Sequence, residues 1–135
     1  MELKLKIFKQ TLESFNYLVN VDYESLQSVL DPRLIDGLEN GLIQKFEIVT
    51  EQSWKLVIFE NEGIDAKTPK QVVKSYYKAG YLNEEDYLLW IQALDDRNTL
   101  SHRYHENAYK TALGRMPDYV KLFNQLVEKL EQANS

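Results

Sequence analysis

Apolar residues recur every three or four positions along most of this 135-residue chain, which is the spacing of one face of an α-helix. The first such stripe consists of Leu5, Phe8, Leu12, Phe15 and Val19. A second helical pattern consists of Tyr23, Leu26, Val29 and Leu30. It ends at Asp31, because Pro32 cannot continue a helix although it can open the next one. The following stripe consists of Ile35, Leu38, Leu42, Phe46, Val49 and Leu56. It predicts a helix from Leu34 to about Glu62, stopped by Gly63, with a length of about 43 Å.

The second half of the chain carries signals for helix ends. Thr68 and Pro69 are typical of a helix start, and Gly80 is typical of the position just after a helix end. A short helix is therefore predicted up to Ala79. Asn83 is followed by three acidic residues, a pattern that favours another helix start because carboxylates stabilise the positive end of the helix dipole.

The predicted elements together indicate an all-α fold. The helix behind Asn83 ends near residues 97–104, and a last pattern begins near residue 106 and is disturbed at residues 115–117. We expect a single domain over residues 1–135, built as an elongated antiparallel up-and-down bundle of four to five helices. Its tryptophans are expected to be core or dimer-interface anchors.

Composition and charge narrow the class of protein. Nineteen leucines against nine valines and seven isoleucines favour helix over sheet. The absence of cysteine excludes disulfides, zinc-thiolate sites and cysteine nucleophiles. A net charge of -5 argues against non-specific attraction to nucleic acid but leaves a local basic site open. No apolar run is typical of a membrane span or a secretion signal, so we expect a cytoplasmic protein.

One polar segment combines the residues best suited to chemistry. Both histidines, His102 and His105, lie in it a few residues after Arg97. On a continuous helix Arg97 and His102 would point about 140° apart. For both to act on one phosphate, either the helix breaks at residues 98–101 or two chains each contribute one residue. A twofold dimer is the more economical solution.

The segment also carries a recognisable motif. Arg97 and Asn98 are followed by three residues, then His102, one further residue and Tyr104. This pattern resembles the HEPN superfamily, and nearly the whole chain is similar to the HEPN partner of a minimal nucleotidyltransferase, a type often described as a nucleotidyltransferase substrate-binding protein. All four motif positions match.

The resemblance implies a homodimeric toxin that cleaves RNA without a metal or other cofactor. His102 would take a proton from a ribose 2′-hydroxyl or give one to the leaving oxygen. Arg97 would hold the scissile phosphate, and Asn98 would orient the site. DNA lacks the 2′-hydroxyl and should survive. The partner nucleotidyltransferase would restrain the toxin by adenylylating Tyr104, which brings negative charge beside Arg97.

Other interpretations of the same residues stay open. Arg97 could form an ordinary ion pair with Asp95, Asp96 or another helix, and His102 could be a satisfied imidazole. The residues around the two histidines match no strong metal-ligand spacing. The short helix has one basic face with tyrosines beside it, which is either solvated or serves as a track for RNA or a dock for an acidic partner. This face consists of Lys67, Lys70, Lys74 and Lys78, with Tyr77 and Tyr81 close by. At the level of function, the alternatives are a non-catalytic substrate-binding subunit of a two-component nucleotidyltransferase and a purely structural helical dimer.

Overall fold

The computed structural model describes residues 2–60, 68–101 and 106–133, with residue 106 described for its backbone alone. Helices fill nearly all of this part of the chain. They are α1 (Glu2–Val19), α2 (Tyr23–Leu26), α3 (Pro32–Glu60), α4 (Pro69–Lys78), α5 (Glu84–Ser101), α6 (Glu106–Gly114) and α7 (Met116–Ala133).

The four long helices, α1, α3, α5 and α7, form an antiparallel bundle. Between α1 and α3, the ring centroids of Phe15 and Phe46 are 5.9 Å apart, and the ammonium group of Lys4 lies over the ring of Phe59. The start of α1 therefore meets the end of α3, which means that the two helices run in opposite directions. Between α5 and α7, Trp90 contacts Phe123 at 6.4 Å and Asp96 contacts the earlier Tyr119, which again gives opposite directions. The predicted all-α antiparallel bundle is confirmed.

Aromatic side chains hold the long helices together. The rings of Phe46 and Tyr119 stack at 5.4 Å, and Phe8 meets Phe123 edge to face at 6.3 Å. All four side chains are buried. Aromatic pairs in these geometries add about 0.5 to 1.5 kcal/mol each beyond the area they bury. The bundle therefore has a closely packed aromatic centre that spans α1, α3 and α7.

The three short helices explain why the described chain holds seven helices rather than four or five. The pattern after α1 forms only the four-residue helix α2, capped by Asp22, and then turns. Val29, which belongs to the apolar pattern, is 73% exposed. The disturbance at residues 115–117 is a true junction, with Arg115 between α6 and α7.

Helix α4 has the ends that its sequence predicts. Thr68 accepts a hydrogen bond from the backbone of Gln71, whose side chain in turn accepts one from the backbone of Thr68. At the other end Gly80 has φ +91°, in the left-handed region that favours glycine. The next amide, that of Tyr81, donates to the carbonyl of Tyr76, which completes a Schellman motif.

Helix α3 is the longest of the described helices. Helix α3 begins at Pro32, two residues before its predicted start, and is described up to Glu60. Its predicted stop at Gly63 lies outside the described residues. Across the described ranges, no helix combines the length and apolar character that crossing a membrane requires.

Candidate functional site

Arg97 lies on α5 at the seam with α3. Its Nε donates to the backbone carbonyl of Glu47 at 3.4 Å, and its Nη2 is 3.5 Å from the carboxylate of Glu51. About a third of the Arg97 side chain, 34%, remains exposed. A guanidinium has five N–H donors, so these two contacts leave capacity for another anion. Of the ion-pair partners considered for Arg97, the structure shows the one on another helix, namely Glu51 on α3. Asp95 pairs with Lys70 and Asp96 pairs with Arg115.

Asn98 and the end of α5 settle one of the two geometric options. Helix α5 continues without interruption to Ser101, whose hydroxyl donates back to the carbonyl of Arg97 at 2.9 Å. The first of the two options, a helix break at residues 98–101, is therefore excluded. Asn98 is exposed, and because successive helical residues diverge by about 100°, it does not share the direction of Arg97.

The structure describes two of the four predicted site residues, and their side chains point in different directions. Arg97 and Asn98 are neighbours on the last turns of α5. His102 and Tyr104 lie outside the described residues, as do Arg103 and His105. The described part of the candidate site is thus its arginine half, held between α3 and α5.

A buried carboxylate beside Arg97 was missed by the sequence reasoning. Asp96 is only 3% exposed, and both of its oxygens accept hydrogen bonds from Arg115 Nη1, at 2.8 and 3.0 Å. The hydroxyl of Tyr119 also donates to this carboxylate, and so does Gln92 at 3.0 Å. We call these four residues the Asp96 cluster. A signal was present, because Asp96 continues the inward stripe of Ala93 at helical spacing.

The electrostatics of the Asp96 cluster favour a fixed charge state. The hydrogen bond to Asp96 raises the pKa of the Arg115 guanidinium. Burial, and then the hydrogen bond to Asp96, raise the pKa of the Tyr119 phenol well above its usual value. Arg115 is therefore a permanent cation and Tyr119 a permanent hydrogen-bond donor at neutral pH, which suits a structural role better than proton transfer.

The other candidate groups give weaker support for a functional site. Within the described residues no three histidine or acidic side chains gather as they would around a metal. Lys70 pairs with Asp95 at 2.6 Å, and Lys67 of the predicted basic face lies outside the described residues. The ring of Tyr77 stacks on Tyr87 at 4.5 Å, so one of its faces is already covered.

The two tryptophans are core residues to different degrees. Trp90 is fully buried, and its Nε1 donates to Ser53 Oγ at 3.1 Å. Trp54 is partly buried and packs against the core. The expected role of Trp90 as a core anchor is therefore confirmed.

Comparison with known proteins gives the family. The family model described as "Nucleotidyltransferase substrate binding protein like" matches residues 3–132. The chain belongs to this family. The resemblance to the nucleotidyltransferase substrate-binding type, which rests on the motif of Arg97, Asn98, His102 and Tyr104, is thereby confirmed.

Individual relatives and solved structures extend the comparison. A Haemophilus influenzae protein named "Probable ribonuclease HepT" is 27% identical over 113 residues, which cover 78% of this chain and 76% of the relative. A crystal structure from Thermus thermophilus superposes with a TM-score of 0.75 at 26% identity, covering 91% of this chain and 98% of the other. HI0074 from Haemophilus influenzae, whose structure is described as a substrate-binding domain of a nucleotidyltransferase, has a TM-score of 0.77 at 23% identity, covering 94% and 98%. At that identity HI0074 supports the fold alone.

Proposed function

We propose that this chain is the toxin of a HEPN and minimal nucleotidyltransferase pair, a metal-independent endoribonuclease whose site forms between two copies of the chain. The observation that carries the proposal is the partly exposed guanidinium of Arg97 at the α3–α5 seam, five residues before His102 in the motif. The name of the relative from Haemophilus influenzae supports a ribonuclease as well.

The proposed reaction is an internal transfer within RNA. His102 accepts the proton of a ribose 2′-hydroxyl, and the 2′-oxygen forms a bond to the adjacent phosphorus as the bond to the 5′-oxygen breaks. The products are a 2′,3′-cyclic phosphate and a 5′-hydroxyl, which forms when the leaving 5′-oxygen takes a proton from water. Arg97 stabilises the negative charge that grows on the phosphate oxygens. Asn98 orients the strand through its exposed amide.

The continuity of α5 supports the proposed dimer. Because α5 is continuous through Ser101, the chain has no break at residues 98–101 that would turn His102 towards the Arg97 of the same copy. In a twofold pair, Arg97 of one copy approaches His102 of the other, and each of the two sites is complete.

Regulation is proposed to act on Tyr104. Transfer of an adenylyl group by the partner nucleotidyltransferase adds a phosphodiester near the guanidinium of Arg97, which then pairs with that group instead of RNA. The second candidate function is a non-catalytic subunit that presents a substrate to the nucleotidyltransferase. The description of the family favours it, and it predicts no cleavage by the isolated chain.

The test is RNA cleavage by the purified chain without its partner, after intact mass has established that Tyr104 carries no adenylyl group. We expect cleavage of RNA in the presence of EDTA and none of the same strand made with 2′-deoxyribose. Arg97→Ala should lower kcat about 100- to 1,000-fold, and His102→Ala about 100- to 10,000-fold. Arg33→Ala is the matched control, because Arg33 pairs only locally with Asp31 and its side chain is 90% exposed.

Two results would contradict the proposal. Unmodified chain that never cuts RNA, while the partner needs it for nucleotidyl transfer, would establish the second candidate function. Cleavage that survives both Arg97→Ala and His102→Ala would place the chemistry elsewhere. Sedimentation equilibrium at assay concentrations checks the dimer.

A further inference from the structure

We propose that Asp96 is a positioning residue for Arg97: the Asp96 cluster fixes the rotation of α5 about its own axis, and thereby sets where the neighbouring guanidinium lies. The inference rests on the proposed ribonuclease function for its kinetic consequence alone. The orientation of Arg97 itself can be measured without RNA.

The carboxylate of Asp96 is held from several directions. Arg115 bridges both oxygens, at 2.8 and 3.0 Å, and Tyr119 adds a hydroxyl donor to one of them. Gln92, one turn earlier on the same helix, donates to the other oxygen at 3.0 Å. The three contacts from Arg115 and Tyr119 come from outside α5, and because hydrogen bonds are directional they resist rotation of the helix that carries Asp96.

Apart from Gln92, the partners of Asp96 lie on other elements than those of Arg97. Arg115 lies at the α6–α7 junction and Tyr119 lies on the first turn of α7, whereas Arg97 reaches across to α3. Helix α5 is therefore fixed on one face by the Asp96 cluster, and the adjacent residue projects from another face. Asp96 and Arg115 also close a hairpin, since 19 positions of chain separate them and α6 lies between.

A purely stabilising role explains the cluster poorly. Removing a carboxylate from water is costly, and well-packed apolar side chains of similar volume stabilise a core equally well or better. Hydrogen bonds depend on angle as well as distance, so the Asp96 cluster constrains the rotation of α5 in addition to the apolar packing. The buried charge at this position therefore favours orientation of α5 as its role.

Small rotations matter for the proposed chemistry. At a distance of roughly 6 Å from the helix axis, a rotation of about 10° displaces a side chain by about 1 Å. Displacements of about 1 Å at a reacting centre can lower a rate about 100-fold. Rotation of α5 without the Asp96 cluster would thus lower kcat strongly, while contacts of RNA elsewhere on the surface would keep KM nearly unchanged.

The experiment compares Asp96→Asn with Asp95→Asn. Asp95 is the matched control, because it is the adjacent carboxylate of the same helix and pairs with Lys70 at 2.6 Å, but its side chain is 46% exposed. The first readout is the Nε–Hε NMR signal of Arg97, which is readily assigned because the chain has only four arginines. The second is the steady-state kinetics of RNA cleavage by each variant, alone and combined with Arg97→Ala.

We expect Asp96→Asn to shift the Arg97 signal and speed its hydrogen exchange, and Asp95→Asn to leave both unchanged. Cleavage by Asp96→Asn should show kcat lowered about 10- to 100-fold with KM changed less than about threefold. Combined with Arg97→Ala, Asp96→Asn should lower kcat no further, because the residue that it positions is then absent.

An Arg97 signal that is the same in Asp96→Asn and in the native chain would overturn the proposal. So would an equal loss of kcat with and without Arg97, since that is the signature of a general structural defect. If Asp96→Asn does not fold, Tyr119→Phe removes one donor and keeps the aromatic ring, and the same two readouts decide. A chain that never cuts RNA would refute the proposed function, and the Arg97 signal would then decide the positioning role by itself.

Discussion

Replacing Glu51 by glutamine tests whether the carboxylate on α3 competes with RNA for Arg97. The carboxylate lies 3.5 Å from Arg97 Nη2, and both side chains are about one-third exposed. A phosphate that binds this guanidinium must therefore displace the carboxylate or share the guanidinium with it. Glutamine keeps the length of the side chain and removes its charge, so Glu51→Gln should strengthen RNA binding.

The size of the effect follows from the distance and the exposure. At 3.5 Å the attraction between unit charges is about 1 kcal/mol in bulk water and about 5 kcal/mol at an effective dielectric constant of about 20. Water screens a pair exposed to this degree, and measured exposed pairs contribute about 0.2 to 1 kcal/mol. Loss of the competition should therefore tighten RNA binding by about 1.5- to 5-fold.

The assay is fluorescence anisotropy with 2′-O-methyl RNA, which lacks the attacking hydroxyl and stays intact. Glu131→Gln is the matched control, because it makes the same change in net charge and also breaks an exposed ion pair, that of Lys9 and Glu131 at 2.6 Å on the α1–α7 seam. The gain in affinity should shrink as salt rises from about 0.01 to 0.15 M, since screening weakens the competing pair. Equal affinities for Glu51→Gln and Glu131→Gln would refute the reasoning, because the gain would then come from net charge alone.

Three further predictions concern stability. Gly80→Ala should lower the urea midpoint by the equivalent of about 1 to 2 kcal/mol, because φ is +91°, whereas Gly37→Ala inside α3 should leave it equal or higher. Burial raises the pKa of Tyr76 from 10.0 to about 12. The folded chain therefore favours the neutral phenol, and the stabilisation that this group gives is fully present below pH 10 and is lost as the pH rises towards 12. Tyr76→Phe should flatten that fall in urea titrations, and an unchanged slope would contradict it. Ser53→Ala should lower the free energy of unfolding by about 1 to 3 kcal/mol, because Trp90 Nε1 loses its hydrogen-bond acceptor. Calorimetry that finds no loss of stability would refute this role of Ser53.

Local signals explain which parts of the fold the sequence predicts. The ends of α4 follow from Thr68 and Gly80, because capping and left-handed backbone depend on the residue itself and its immediate neighbours. Helix α2 is much shorter than its apolar pattern, because Val29 belongs to the stripe and yet no neighbouring helix covers it. Periodicity reports which side of a segment is apolar, and packing decides whether that side is used.

The candidate site depends on contacts that spacing does not reveal. The sequence places Arg97 in a motif, but the Glu47 carbonyl that it contacts is 50 positions away. That contact depends on how α3 and α5 are registered against each other, and register is set by the whole core. The ion pair with Glu51 has the same origin. Motif spacing thus identifies the candidate residue, while its electrostatic surroundings become visible only in the folded chain.

Asp96 is a second residue whose contacts the sequence does not reveal. A charged residue at a buried position of a helix conflicts with an apolar stripe, and such a conflict is expected where function or specificity requires it. The pattern identifies the conflict at Asp96 but not its partners, since Arg115 and Tyr119 reach it only because the α6–α7 junction returns the chain to α5. A polar residue at a core position beside a motif arginine is therefore a reason to look for a hydrogen-bonded cluster that positions the arginine. Such a cluster requires one residue that points into the core and a neighbour that stays partly exposed. Asp96 and Arg97 have this arrangement.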